Sequence, residues 1–215
     1  MKIKLSIFFF LFICTKSFAQ APEKAYWTTR FDFQVPQPVN NKAFKTSFSG
    51  ILDLGATFCF GYKGVFLGPF YRYKQFQVQA NKIKNITTVM LVHNFGLKIG
   101  YDHWISDKTI FSSSINIGYN SVNYRSVVCL VDSIPHKFDG VNIEPNVNFH
   151  FMIDEGFGIG LMVSYNVFTY EFDPNPICLN QYHTYTDSDK TGLTQTFSFG
   201  FCAYLDLNRK VSSDY

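Results

Sequence analysis

From about residue 24 onward, apolar and polar residues alternate with a period of two, the pattern of strands whose two faces meet different surroundings. The clearest stretch places Phe197, Phe199, Phe201, Ala203, Leu205 and Leu207 on one face. Thr196, Ser198, Gly200, Cys202, Tyr204 and Asp206 take the other. The same reading gives eight strands, over 24–35, 46–60, 64–79, 88–103, 108–125, 140–153, 157–172 and 191–207. The third is the least regular: a phase that puts Arg72 on the polar face also puts Phe66 and Phe70 there, which points to a bulge or an error of phase.

The connections alternate in length. Segments 36–45, 81–87, 126–139 and 173–190 are long and polar, whereas 61–63, 104–107 and 154–156 are tight turns. A transmembrane barrel sorts its connections this way, with short periplasmic turns and long outer loops. The pattern therefore predicts an all-β, eight-stranded antiparallel up-and-down transmembrane barrel over 20–208, with a short periplasmic tail at 209–215.

The start of the chain reads as a cleaved signal peptide over 1–19. Lys2 and Lys4 are followed by an apolar run over 5–14 and by the small-x-small triplet Ser17-Phe18-Ala19. Cys14 loosely fits a lipoprotein motif, but Ile13 stands where a small residue belongs. After Ala19 no apolar run approaches the ~20 residues that a spanning helix needs.

Composition decides which face is outside. Charged residues are only 16% of the chain and aromatic residues 19%, a poor recipe for a wet surface. The polar face is mostly Ser, Asn, Thr, Gln and Gly, which suit the narrow lumen of an eight-stranded barrel. The bacterial outer membrane is the expected location, with its lipid against the apolar face; a secreted lipocalin-like carrier is the inverted alternative. Trp27, Tyr101, Trp104 and Tyr119 lie near strand ends as candidates for an aromatic girdle. The net charge of +3 is too mild to indicate nucleic acid.

Arg30, Asp32, Asp53, Arg72, Lys98 and Glu144 fall mid-strand on the lumenal face, three of each sign. Buried charges persist when paired, so these six are expected to form a network that plugs the lumen. A narrow pore or gated conduit through the same charges is the alternative. Cys129 and Cys178 sit in or beside the third and fourth outer loops, where an oxidising exterior permits a disulfide. Cys59 and Cys202 are lumenal, about 9–10 Å apart with strand one between them, too far for a bridge. His150 is lumenal beside the charges, while His93 is on the apolar face. No histidine has metal-ligand spacing with another His or Cys, and no metal, cofactor or catalytic set is expected. A lipid-modifying enzyme remains the catalytic alternative, although no Ser and acid accompany His93.

The export signal, eight alternating strands, four long loops and three tight turns resemble the small OmpA-like and PorT-like outer-membrane barrels. The resemblance covers 24–207 and implies a structural or surface-interaction role without catalysis, with outer loops open to a protein partner. It also implies recognition by the barrel-assembly machinery. Ser198, Gly200, Ala203 and Leu205 are similar to the last-strand signal for that machinery, although Ala203 replaces the usual aromatic.

Overall fold

The structure is a computed structural model that describes residues 24–79, 83, 88–126 and 137–208. The proposed signal peptide, the 209–215 tail and Cys129 lie outside these residues. Eight strands run β1 Tyr26–Asn40, β2 Phe48–Tyr62, β3 Val65–Val78, β4 Thr88–Ser106, β5 Thr109–Ser126, β6 Lys137–Met152, β7 Phe157–Glu171 and β8 Leu193–Asp206. Each pairs antiparallel with the next, and β8 pairs with β1, so the barrel is closed and no sheet edge remains.

Strand boundaries differ from the expectation mainly at the first outer loop. β1 runs through Pro36 and Pro38 to Asn40, where a loop beginning at residue 36 was expected. Beyond Gln34 this strand stays paired with β8 while its ladder to β2 ends, so the prolines stand in a half-paired stretch where a missing N–H costs little. The register of β2 against β3 shifts between Gly50 and Leu52. There β2 crowds β1: a Cβ on Gly50 would lie 1.6 Å from the Pro36 carbonyl oxygen, so glycine is required.

β3 has neither a bulge nor an error of phase. Its register against β4 is continuous from Val65 to Gln77, and Phe66, Phe70 and Arg72 all point inward. The β2–β3 connection is the two-residue turn Lys63-Gly64, with φ of 49° and 83°, displaced from the predicted 61–63. Two positive φ values in succession give the hairpin twist that right-handed strands need.

The outer loops add short helical pieces. α1 (Lys42–Ser47) is capped by the Asn41 side chain, which accepts from the Phe44 N–H at 3.0 Å. α2 (Asp187–Lys190) starts in a Thr186/Asp189 capping box. Between β7 and α2, two single 3-10 turns at Asn175–Ile177 and Leu179–Gln181 fold inward and bury Ile177 and Leu179.

Candidate functional site: the barrel lumen

Alternation in each strand sends one set of side chains outward and the other inward, and the two sets are chemically opposite. The outward set is apolar: Phe201 is 63% exposed, Leu97 57% and Phe95 53%. On β1 this band runs from Trp27 to Val35 before Gln37 appears; on β4 it runs from Tyr101 to Phe95 before His93. Seven to nine strand residues at ~3.3 Å, tilted by ~40°, make a band ~18–23 Å tall, close to the ~25 Å of a barrel's lipid-facing belt. An apolar face turned outward removes the lipocalin-like reading. Trp27, stacked on Phe58 with ring centroids 5.2 Å apart, lies at the turn end of the band. Tyr101 and Tyr119 also face outward, but Trp104 turns inward and is not part of a girdle.

The inward set forms three layers. At the outer mouth is a dry apolar cap, in which Phe44 of α1 packs on Phe76 and Phe172 with centroids 5.3 and 5.6 Å apart. Phe48, Met90, Val92, Val122, Ile177 and Leu179 fill the rest of this layer. Its sequence trace is Val89-Met90-Leu91-Val92, apolar on both faces where alternation lapses. At the turn end, Trp104, Ile110, Met152 and Tyr204 form a smaller apolar cluster.

Between the caps lies the charged layer. Arg72 is its hub, 2.6 Å from Asp32, 3.2 Å from Asp53 and 3.0 Å from Glu144. Lys74 bridges Asp53 at 3.2 Å and Glu144 at 3.3 Å. Ser198 donates to Asp53 at 3.2 Å, and the Asn166 amide donates to Glu144 at 2.8 Å. Nearer the turn end, Arg30 pairs with Asp102 at 2.7 Å, and Tyr26 and Ser112 donate to the same carboxylate. The Arg30 guanidinium also lies 3.8 Å over the Phe66 ring, which explains an aromatic side chain inside a polar lumen.

Five of the six predicted charges are thus ion-paired, in two clusters. Lys98 is not: it is fully buried, and its ammonium has no hydrogen-bond partner among the described residues. Two members were missed, Lys74 and Asp102, although both follow at even spacing from Arg72 and Lys98. With them, the buried lumenal charges among the described residues are Arg30, Arg72, Lys74 and Lys98 against Asp32, Asp53, Asp102 and Glu144, balanced four to four.

His150 is lumenal but joins no charge; its Nδ1 lies 3.5 Å from the Cys202 sulfur. Cys59 and Cys202 are free and buried. Their separation is greater than expected, because Cys59 pairs with Thr28 and Cys202 with Asp32, which adds ~13 Å of strand to the lateral spacing. Cys178 is disulfide-bonded. In β8, Ser198 and Gly200 face the lumen, whereas Ala203 and Leu205 face outward.

No known protein family matches the chain, and no curated protein does. Solved structures match its shape. The crystal structure of Neisserial surface protein A superposes with a TM-score of 0.54 at 6% identity, over 85% of this chain and 99% of that one. Ail of Yersinia pestis (TM-score 0.48, 8% identity) covers the same shares of the two chains. OprG of Pseudomonas aeruginosa (TM-score 0.42, 11% identity) matches 88% of this chain and 96% of its own. At such identities the likeness carries the fold alone. The closed barrel, its apolar band and that fold make the chain a small, eight-stranded transmembrane β-barrel of the bacterial outer membrane.

Proposed function

We propose that this barrel is a non-enzymatic structural or surface-interaction protein whose lumen is permanently plugged. The observation that carries the reading is the filling of the lumen: an ion-paired layer centred on Arg72 lies between apolar caps at both ends. Charges that are matched and pinned to one another conduct poorly, and a dry layer built on Phe44 opposes ion entry. Contact with other molecules then falls to the outer loops, where Tyr182 is exposed at the end of the second 3-10 turn. A disulfide between Cys178 and Cys129 would tie the third and fourth loops together. The assembly signal at Ser198, Gly200, Ala203 and Leu205 would serve the barrel-assembly machinery.

Single-channel recording in planar bilayers tests the plug. The purified protein is expected to give no steady current above leak, and its lipid A is expected to keep its mass. A unitary conductance that changes in Lys98→Met or Glu144→Gln would overturn the plug in favour of the pore. A change in lipid A mass would overturn the non-enzymatic reading.

A further inference from the structure

The outward face is not uniform. A groove of about 1000 Å³ crosses it between two cross-strand rows of side chains, at the upper end of the ~300–1,000 Å³ typical of small-molecule sites. One row reads Ile159, Ala203, Phe31, Ala56 and Tyr71 on β7, β8, β1, β2 and β3. The next reads Leu161, Phe201, Phe33, Leu54 and Tyr73, and continues directly to His93 on β4. Ala56 and Ala203 make the floor, because they flank Phe31 with short side chains where the next row has Leu54, Phe33 and Phe201.

The groove climbs. Ile159 is two residues from the turn end of β7, Ala203 three from that of β8, Phe31 five from that of β1 and Tyr71 six from that of β3. Strands tilted in a closed barrel carry their cross-strand rows upward in this way. From Ile159 to Tyr73 the rise is six strand residues, ~15 Å along the membrane normal, comparable to half of a ~30 Å hydrocarbon core. The long axis of the groove therefore has a component parallel to lipid acyl chains.

A polar cluster closes its upper end. The Tyr71 hydroxyl and His93 Nδ1 are hydrogen-bonded at 2.8 Å, the rings of Tyr73 and His93 lie 5.3 Å apart, and Tyr73 donates to Gln75 at 3.3 Å. It sits where the apolar band ends, at headgroup height. The bond to Tyr71 engages Nδ1 of His93, so Nε2 donates to a headgroup or accepts from it according to the ring's tautomer.

The geometry points to a binding site for one outer-leaflet lipid, its acyl chain lying along the Ala56/Ala203 groove and its phosphate or hydroxyl headgroup held by His93, Tyr71 and Tyr73. An acyl chain gains little by leaving bulk lipid for an apolar wall, so selectivity comes from the fit of the groove and the polar upper end acting together.

The test reconstitutes the full protein in vesicles of phosphatidylethanolamine and phosphatidylglycerol, doped with phosphatidylethanolamine bearing a diazirine midway along one acyl chain. After illumination, peptide mapping is expected to find label around Phe31 and Ala203 several-fold above that around Ile117 and Val141, which are equally apolar but outside the groove. The double variant Ala56→Phe/Ala203→Phe should bring the two levels together, and His93→Leu should remove most of the excess. Should the double variant fail to assemble into a heat-modifiable barrel, His93→Leu and Tyr71→Phe still test the polar end. Even labelling of the whole band, or an excess indifferent to these changes, overturns the site. Protein–protein cross-links mapping to the groove would assign it to a second copy and overturn it equally.

Discussion

Arg72 holds three carboxylates within 3.2 Å, more than any other side chain among the described residues. A buried ion pair is a weak source of net stability, but removing one partner strands the other. Arg72→Leu should therefore cost about 3–5 kcal/mol, read as a shift in the guanidinium unfolding midpoint in lipid vesicles by the emission of Trp27 and Trp104. Lys98→Met should stay within about 1 kcal/mol of wild type, because the ammonium it removes has no hydrogen bond to lose. Equal losses from both would mean that the lumen acts as a diffuse charge balance with no hub. The six charges were legible in sequence because period two assigned them a face. Their pairing was not, since which strand stands across the lumen depends on closure and shear. Lys74 and Asp102 were within reach of the same periodicity, and Phe66 looked like a phase error only because its partner, Arg30, comes from a different strand.

α1 and the fourth loop act as one lid. Phe44 enters the barrel mouth, Asn41 donates to the Lys190 and Gly192 carbonyls at 2.8 and 3.0 Å, and Lys42 reaches Asp189 at 2.6 Å. Phe44→Ala should cost about 3–5 kcal/mol if the cavity cannot collapse. The loss should appear first as faster amide exchange over 173–192 while the strands stay protected. The ion pair adds a pH signature. The Lys42 ammonium and the Thr186 backbone N–H hold the Asp189 carboxyl well below the usual carboxylate range. A depressed folded-state value means a contribution complete above the ordinary Asp pKa of ~3.9 and lost only as pH falls through the lower, folded value. Exchange protection in the lid should therefore hold from pH 7 to 4 once intrinsic rates are corrected, whereas Asp189→Asn should weaken it at both; a wild-type lid that opens by pH 5 would contradict the pairing. This lid was invisible to periodicity. A six-residue helix shows no repeat, and Pro36 and Pro38 read as loop when the strand in fact passes through them.

For the whole molecule, the decisive contrast is between a barrel in lipid and one in water, and depth along the outward face separates them. Leu97 is 57% exposed in the middle of the β4 band, while Ser121 lies on the neighbouring strand beside His93, where the outward face turns polar. On a soluble barrel, arginine at either surface position would change stability by about 0.5 kcal/mol or less. In a bilayer the charge is paid for by depth: Leu97→Arg should cost about 2–4 kcal/mol and Ser121→Arg about 0–1 kcal/mol. Both are read from reversible unfolding in vesicles, with the boiled and unboiled gel mobilities as a check that each variant assembled. The same comparison locates the upper edge of the band, which the alternation of loops and strands implied but could not measure, because sequence periodicity fixes faces and leaves heights open. A steep difference places the hydrocarbon boundary between the two positions and seats the His93 cluster at the headgroups; a flat one would remove the membrane from the argument altogether.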